Sequence, residues 1–186
     1  MVTKRKSNYS KSVYAPGREQ GDISTHTISI LAQNQPGVMA KMIGLLAGRG
    51  YNIDSMTAAE TDQDHNLSRL TIVTSGTEMV IDQICAQLEK LVPVQSVRDL
   101  TIYGPHVSRE LALIKILGTD ADRAQAEKIA QLHNTHIIET TDQSAIYEVI
   151  GTSEEVDEFI ELLRPLGLKN VSRSGVAAIS LGVPKE

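Results

Sequence analysis

A chain of 186 residues, 41% hydrophobic and 22% charged, can bury one good core or two small ones and has an ordinary composition for a globular protein. A net charge of −5 with one Phe and no Trp argues against a phosphate-binding face or an aromatic base-stacking platform, so no nucleic-acid partner is expected. The single cysteine, Cys85, rules out an internal disulfide and fits a reducing, cytoplasmic location. No apolar run approaches the roughly 20 residues that span a bilayer, so no membrane partner is expected either.

Residues 1–22 are polar and basic, with Lys4, Arg5, Lys6, Lys11 and Arg18 against Glu19 and Asp22. They contain no hydrophobic core of a secretory signal. The preferred reading is a disordered leader, with a weak organelle-targeting segment as the alternative.

A first domain is expected over residues 24–102. His26, Ile28 and Ile30 alternate with Thr27, Ser29 and Leu31, as a half-buried strand requires. Pro36 to Gly48 reads as a helix carrying Val38, Met39, Met42, Ile43, Leu45 and Leu46. Ile53–Glu60 and Leu67–Ser75 read as strands around the polar hairpin loop 61–66. Ile81, Ile84, Leu88 and Leu91 form the stripe of a second helix, which Pro93 stops, and Val94–Ile102 reads as a fourth strand.

Residues 103–110, punctuated by Gly104-Pro105, are expected to link this unit to a second one over 111–184. There the order returns: strand Leu111–Leu117, helix Ala121–Leu132 with Asp120 as N-cap, then strands Ile137–Thr140 and Ala145–Gly151. Thr152 and Glu155 fit a capping box that opens a helix striped by Val156, Phe159, Ile160 and Leu163. Pro165 and Gly167 end it, and Val171–Ser180, interrupted by Gly175, is the last strand. The fold class is therefore α+β, two tandem ferredoxin-like βαββαβ domains.

No phosphate-binding loop, dinucleotide fingerprint, metalloprotease motif or nucleophile elbow is present. Gly44, Gly48 and Gly50 lie along or after a helix and fit packing and a helix stop. His133 and His136 straddle a helix end with no accompanying ligand cluster, so no metal site is assigned. Cys85 lies on a core-facing stripe and reads as a buried thiol, and Glu154 and Glu155 complement a helix dipole. No catalytic residue is assigned.

The stretch 34-NQPGVMAKMIGLLAGRGYNIDS-55 is different because its parts converge on one chemistry. A helix start offers unpaired N–H groups and the positive end of the dipole, and Gly37 lets a ligand carboxylate approach the backbone near Val38. Asn34 adds an amide on the same loop. Asn52 follows the helix and should lie at its opposite end, so the two asparagines could meet only across a two-fold axis. The alternative stays open: Asn34 as an N-cap and Asn52 as a turn residue after Gly50.

These residues, with 67-LSRLTIV-73, 87-QLEKLVPVQSVRDLT-101, 106-HVSRELALIKI-116 and 173-RSGVAAIS-180, resemble the regulatory small subunit of acetolactate synthase (acetohydroxyacid synthase). The resemblance runs from about Thr25 to Leu181. It implies an N-terminal ACT domain and a C-terminal ferredoxin-like domain in a non-catalytic subunit. Such a subunit partners the large catalytic subunit, activates it and confers feedback inhibition by branched-chain amino acids, valine most often. By position it implies an effector site of Asn34, Gly37, Val38, Asn52 and Ile53, shared across a homodimer or higher homo-oligomer. It also implies that thiamine diphosphate, Mg and FAD belong to the catalytic partner, with no cofactor in this chain. The rival readings are a free-standing amino-acid sensor acting on another enzyme or on transcription, and a small enzyme. The first lacks a recognition helix, and the second lacks a convergent acid, base and nucleophile.

Overall fold

In the computed structural model, which describes residues 21–133 and 135–182, the alternation in β1 (Ser24–Gln33) buries Ile28, Ile30 and Ala32 on one face. The sequence then runs α1 (Val38–Ala47), β2 (Ser55–Asp62), β3 (Leu67–Gly76), α2 (Glu78–Glu89) and β4 (Val94–Asp99). The sheet order is β2-β3-β1-β4, with β1 paired antiparallel to both β3 and β4. Met42 and Leu46 of α1 and Ile81, Ile84 and Leu88 of α2 close over Ile28, Ile30, Leu70 and Ile72. Each such side chain fully buried contributes about 1.5–3 kcal/mol.

A short helix α3 (Leu100–Tyr103) leads into the second unit: β5 (His106–Leu117), α4 (Asp120–Ala130), β6 (Thr135–Thr140), β7 (Ser144–Gly151), α5 (Ser153–Leu163) and β8 (Leu168–Ser180). Its sheet order, β6-β7-β5-β8, repeats the first. The core joins Ala112, Ile114 and Ile116 to Tyr147, Val156, Phe159 and Leu163, with Tyr147 edge-on to Phe159. Two four-stranded antiparallel sheets, each with helices on one face, give the tandem ferredoxin-like architecture.

The local expectations shift at several points. Helix α1 starts at Val38, because Gly37 takes a left-handed conformation (φ 83°) and Pro36 lies in the preceding turn. The fourth strand stops at Asp99, whose carboxylate accepts Thr101 N–H and caps α3, so 100–102 are helical rather than extended. Most of the expected linker is strand: only Gly104 and Pro105 separate α3 from β5. Thr119, not Asp120, caps α4 in a full capping box with Asp122; the box at Thr152 and Glu155 opens α5 as the sequence indicates. Strand β6 starts at Thr135, β7 at Ser144 and β8 at Leu168, each earlier than the apolar pattern shows. Residues 1–20, most of the basic leader, and 183–186 lie outside the described residues.

The two units are joined face to edge. Val176 of β8 lies over the face of the first sheet that points away from α1 and α2, against Val73 and Leu100. Both peptide groups of Val176 are held by side chains of β2: its N–H donates to Ser55 Oγ at 2.9 Å, and its carbonyl accepts from Thr57 Oγ1 at 2.8 Å. Beside this contact, buried Glu110 accepts both Arg173 Nε (2.7 Å) and Nη2 (2.5 Å), and Arg173 Nη1 reaches Asp157 at 2.6 Å. The Arg173 hydrogen bond holds the Glu110 carboxyl below its ordinary range, outweighing the opposing effect of burial.

A second buried pair secures α3. His26 Nδ1 lies 2.6 Å from Asp99 Oδ2, and both side chains are nearly inaccessible. Asp99→Ala would leave His26 Nδ1 without its partner and α3 uncapped. Removal of one partner from a buried pair costs about 3–5 kcal/mol, which urea unfolding followed by circular dichroism should register. Asp62→Ala, which breaks the exposed contact to His65, should have little effect in the same assay.

Glu110 generates a pH prediction. Its folded pKa is depressed, so its stabilisation is fully present above the ordinary carboxylate range and disappears as pH falls through and below it. Glu110→Gln should therefore lower stability at pH 7 and flatten the loss on acidification. Melting temperatures measured from pH 7 down to pH 3 should converge for the two proteins.

Candidate functional site

The β1–α1 loop is set by its backbone. Asn34 N–H donates to Asn66 O at 2.8 Å, and Asn66 Nδ2 donates back to Asn34 O at 3.2 Å. The hairpin loop thereby pins the β1–α1 loop through the backbone of Asn34, not through its amide. Asn34 is not the N-cap of α1: that position is Gly37, and no side-chain hydrogen bond caps it. In the first turn of α1, Val38 N–H donates to Gln35 O at 3.3 Å, and the Met39 and Ala40 N–H groups have no acceptor within the helix. Nothing within 4 Å would meet a Cβ built on Gly37, so the approach to this backbone is open.

A cleft of about 360 Å³ lies there. Asn34, Gly37, Val38 and Met39 form one wall, and Ala58, Glu60, Ser68 and Leu70 the other. The second wall follows from hairpin register, which pairs Ala58 with Leu70 and Glu60 with Ser68. The cleft therefore combines a helix N-terminus, an apolar surface and one carboxylate.

Asn52 and Ile53 do not line this cleft. Helix α1 ends in a reverse turn in which Gly50 (φ 74°) donates to Ala47 O and Tyr51 N–H returns to Leu46 O, as a Schellman stop requires. This turn delivers Asn52 to the opposite end of β2. At about 3.3 Å per residue, Ile53 and Ala59 are about 20 Å apart along the strand. Asn52 Nδ2 donates to Asp54 Oδ1 at 2.6 Å, and the Asn52 backbone carbonyl accepts from Thr74 Oγ1 at 2.5 Å. Ile53 is half-buried against the first core. The structure thus brings Asn34, Gly37 and Val38 together and leaves Asn52 and Ile53 apart from them. The sequence reading missed Met39, Ala58, Glu60, Ser68 and Leu70. Folding the 55–76 hairpin about its polar loop in register would have located the last four.

The remaining candidates have other partners. His133 Nδ1 contacts Ile129 O at 2.9 Å and its ring packs on Phe159, while His136 faces Glu148 across β6 and β7. Ser24, His26 and Asp99 do align, with Ser24 Oγ 2.9 Å from His26 Nε2. Asp99 simultaneously caps α3, and none of these three residues lines the Gly37 cleft, so the chain of bonds serves the β1–α3 joint.

Two family models cover most of the chain: "AHAS small subunit-like ACT domain" matches residues 28–96, and "Small subunit of acetolactate synthase" matches 109–182. The chain belongs to the acetolactate synthase small-subunit family. The probable acetolactate synthase small subunit of Archaeoglobus fulgidus is 37% identical over 86% of this chain and 99% of its own length. The isozyme 3 small subunit of Salmonella typhimurium is 40% identical over 83% and 94%. The crystal structure of the small subunit from Thermotoga maritima superposes with a TM-score of 0.76 at 36% identity, over 84% of this chain and 96% of that one. As a member of this family the chain is a regulatory subunit, and the small subunit's counterpart is a catalytic large subunit. Among the described residues, no helix is long and apolar enough to cross a membrane.

Cys85 supplies a check on the packing of α2. Burial first, then Asp99, Glu89 and Asp82, push its thiol up to about 11. At pH 8, alkylation by iodoacetamide should be about one to two orders of magnitude slower in the folded chain than in urea, as mass spectrometry would measure.

Proposed function

We propose that this chain activates the large subunit of acetolactate synthase and imposes feedback inhibition by a branched-chain amino acid, valine foremost, bound at the Gly37 cleft. The observation that carries this reading is the outward-facing start of α1 beside an apolar wall. The helix start suits the effector carboxylate, while Val38, Ala58 and Leu70 suit a small branched side chain. Glu60 offers the ammonium a counter-charge across the cleft. Thiamine diphosphate, Mg and FAD belong, in this reading, to the catalytic partner.

Geometry supports a site completed by a second copy. Strand β2 is the edge of its sheet. An antiparallel two-fold pairing of β2 edges would set Asn52 and Ile53 of one copy near Ala58–Glu60 of the other, closing the gap of about 20 Å within one chain. One N–H of the Asn52 amide is engaged by Asp54, and its second N–H and carbonyl can serve a ligand.

The test uses two variants. Gly37→Asp puts a carboxylate where the effector carboxylate binds. The space is open, and Asp tolerates the left-handed region better than most residues. Asn52→Ala removes the amide from the far end of β2. Each should weaken valine inhibition by roughly ten- to a hundredfold, the equivalent of one charged hydrogen bond, while activation of the large subunit persists. Sedimentation should show wild-type and variants as dimers. Wild-type inhibition in both folded variants would place the effector elsewhere.

A further inference from the structure

Strand β2 has side chains on two faces, and both are in use. Ala58 and Glu60 face the Gly37 cleft with Leu70 and Ser68. Ser55 and Thr57 point the other way and grip one residue of the C-terminal domain, Val176, by its N–H and its carbonyl. The grip depends on the chain kinking at Gly175, which has φ 79°. A Cβ there would lie 2.7 Å from Ser55 Oγ and 3.2 Å from Thr57 Cγ2, so no larger residue lets β8 come this close. The β5–β8 pairing is irregular at the same place: its register shifts between Glu110 and Ala112. Just before the kink, Arg173 anchors β8 to buried Glu110 and to Asp157 of α5. A cleft of about 470 Å³ between the domains, lined by Asp54, Met56, Glu110, Arg173 and Gly175 among others, leaves room for β2 and β8 to shift against each other.

We propose that this clamp relays effector occupancy from the N-terminal domain to the C-terminal domain. It rests on the effector reading above and adds the route. A ligand that moves Ala58 also moves Thr57, one peptide away. Thr57 and Ser55 hold backbone groups rather than a flexible side chain, so Val176 must follow or break two hydrogen bonds. The displacement then reaches Arg173, Glu110 and the start of α5. Ser55, Thr57 and Gly175 are positioning residues: they touch no effector.

The experiment compares binding with response. Valine binding to the isolated chain is measured by calorimetry, inhibition is measured in the complex with the large subunit, and hydrogen exchange reports on residues 171–180 with and without valine. The wild-type chain should bind valine and change its protection around Val176. Thr57→Val, close in shape but lacking the hydroxyl, and Ser55→Ala should bind valine within about threefold of wild type. Both should lose the exchange response at β8, raise the half-inhibitory valine concentration on the order of tenfold, and keep activation. Thr57→Ser, which retains the hydroxyl, should restore inhibition. Wild-type inhibition and exchange in both hydroxyl-deleted variants would overturn the relay and leave the effector site standing. Loss of valine binding in these variants would also overturn it, by making the clamp part of the site's scaffold. A wild-type chain that binds no valine would sink the effector reading itself, and the relay with it.

Discussion

A β-strand alternates its side chains between two faces, and in this molecule that rule gives β2 two environments at once. Its even positions, Met56, Ala58 and Glu60, point toward α1; its odd positions Ser55 and Thr57 point toward β8. A slip of one residue in the β2–β3 register would exchange these sets, moving the hydroxyls to the cleft and the apolar surface to the domain contact. The full-length pairing of β1 with β3, from Ser24 opposite Gly76 to Gln33 opposite Leu67, prevents such a slip by fixing β3. The candidate site and the interdomain contact both depend on that register.

Polar groups beside the domain junction are satisfied together within each domain. Among the described residues, every buried side-chain nitrogen or oxygen has a hydrogen-bond partner. Glu110, Arg173, Ser153 and Asp157 form one such group, and Ser24, His26, Asp99 and Thr101 form another at the start of α3. Networks of this kind contribute less than an apolar core of similar size, but each fixes one arrangement of its elements because any other leaves a buried charge unpaired. Among the described residues, Leu100, Val176 and Ala178, with Val73 packed against them, form an apolar cluster between the domains. Across it, Ser55 Oγ accepts from Val176 N–H and Thr57 Oγ1 donates to Val176 O. Such a joint leaves each domain its own core.

The two domains share a topology and differ in what the free side of the sheet does. In the first, β8 covers part of it. In the second, Leu113, Leu117 and Ile150 remain 36–43% exposed. The loops differ too. In the first domain a glycine opens α1 with no side-chain cap, whereas Thr119 and Thr152 close α4 and α5 with full capping boxes. Each capping box occupies the N-cap and N3 N–H groups of its helix; at α1 no side chain does so, and Val38 N–H is met by Gln35 O.

Much of this was legible in the chain. Strand alternation, helical stripes and the punctuation by Pro93 and Gly167 gave both βαββαβ units, because period and breaker are local properties that survive folding. The openness of the backbone at Gly37 was legible for the same reason, since a residue without a Cβ at a helix start is written in neighbouring residues; its left-handed conformation was not. The largest errors fell where a distant partner intervened. Asp99 turns β4 into α3 by capping Thr101 while held by His26, a residue 73 positions away. The second wall of the cleft needed the hairpin register, and Gly175 read only as an interruption until Ser55 was seen against it. Sequence by itself determined the order of the main elements and pointed to Asn34, Gly37 and Val38, which form one wall of the cleft, since those rest on contacts within a few residues. Tertiary structure alone decided the opposing wall, the roughly 20 Å separation of Asn52 from Gly37's cleft, and the grip of β2 on β8, because each depends on which strands lie side by side.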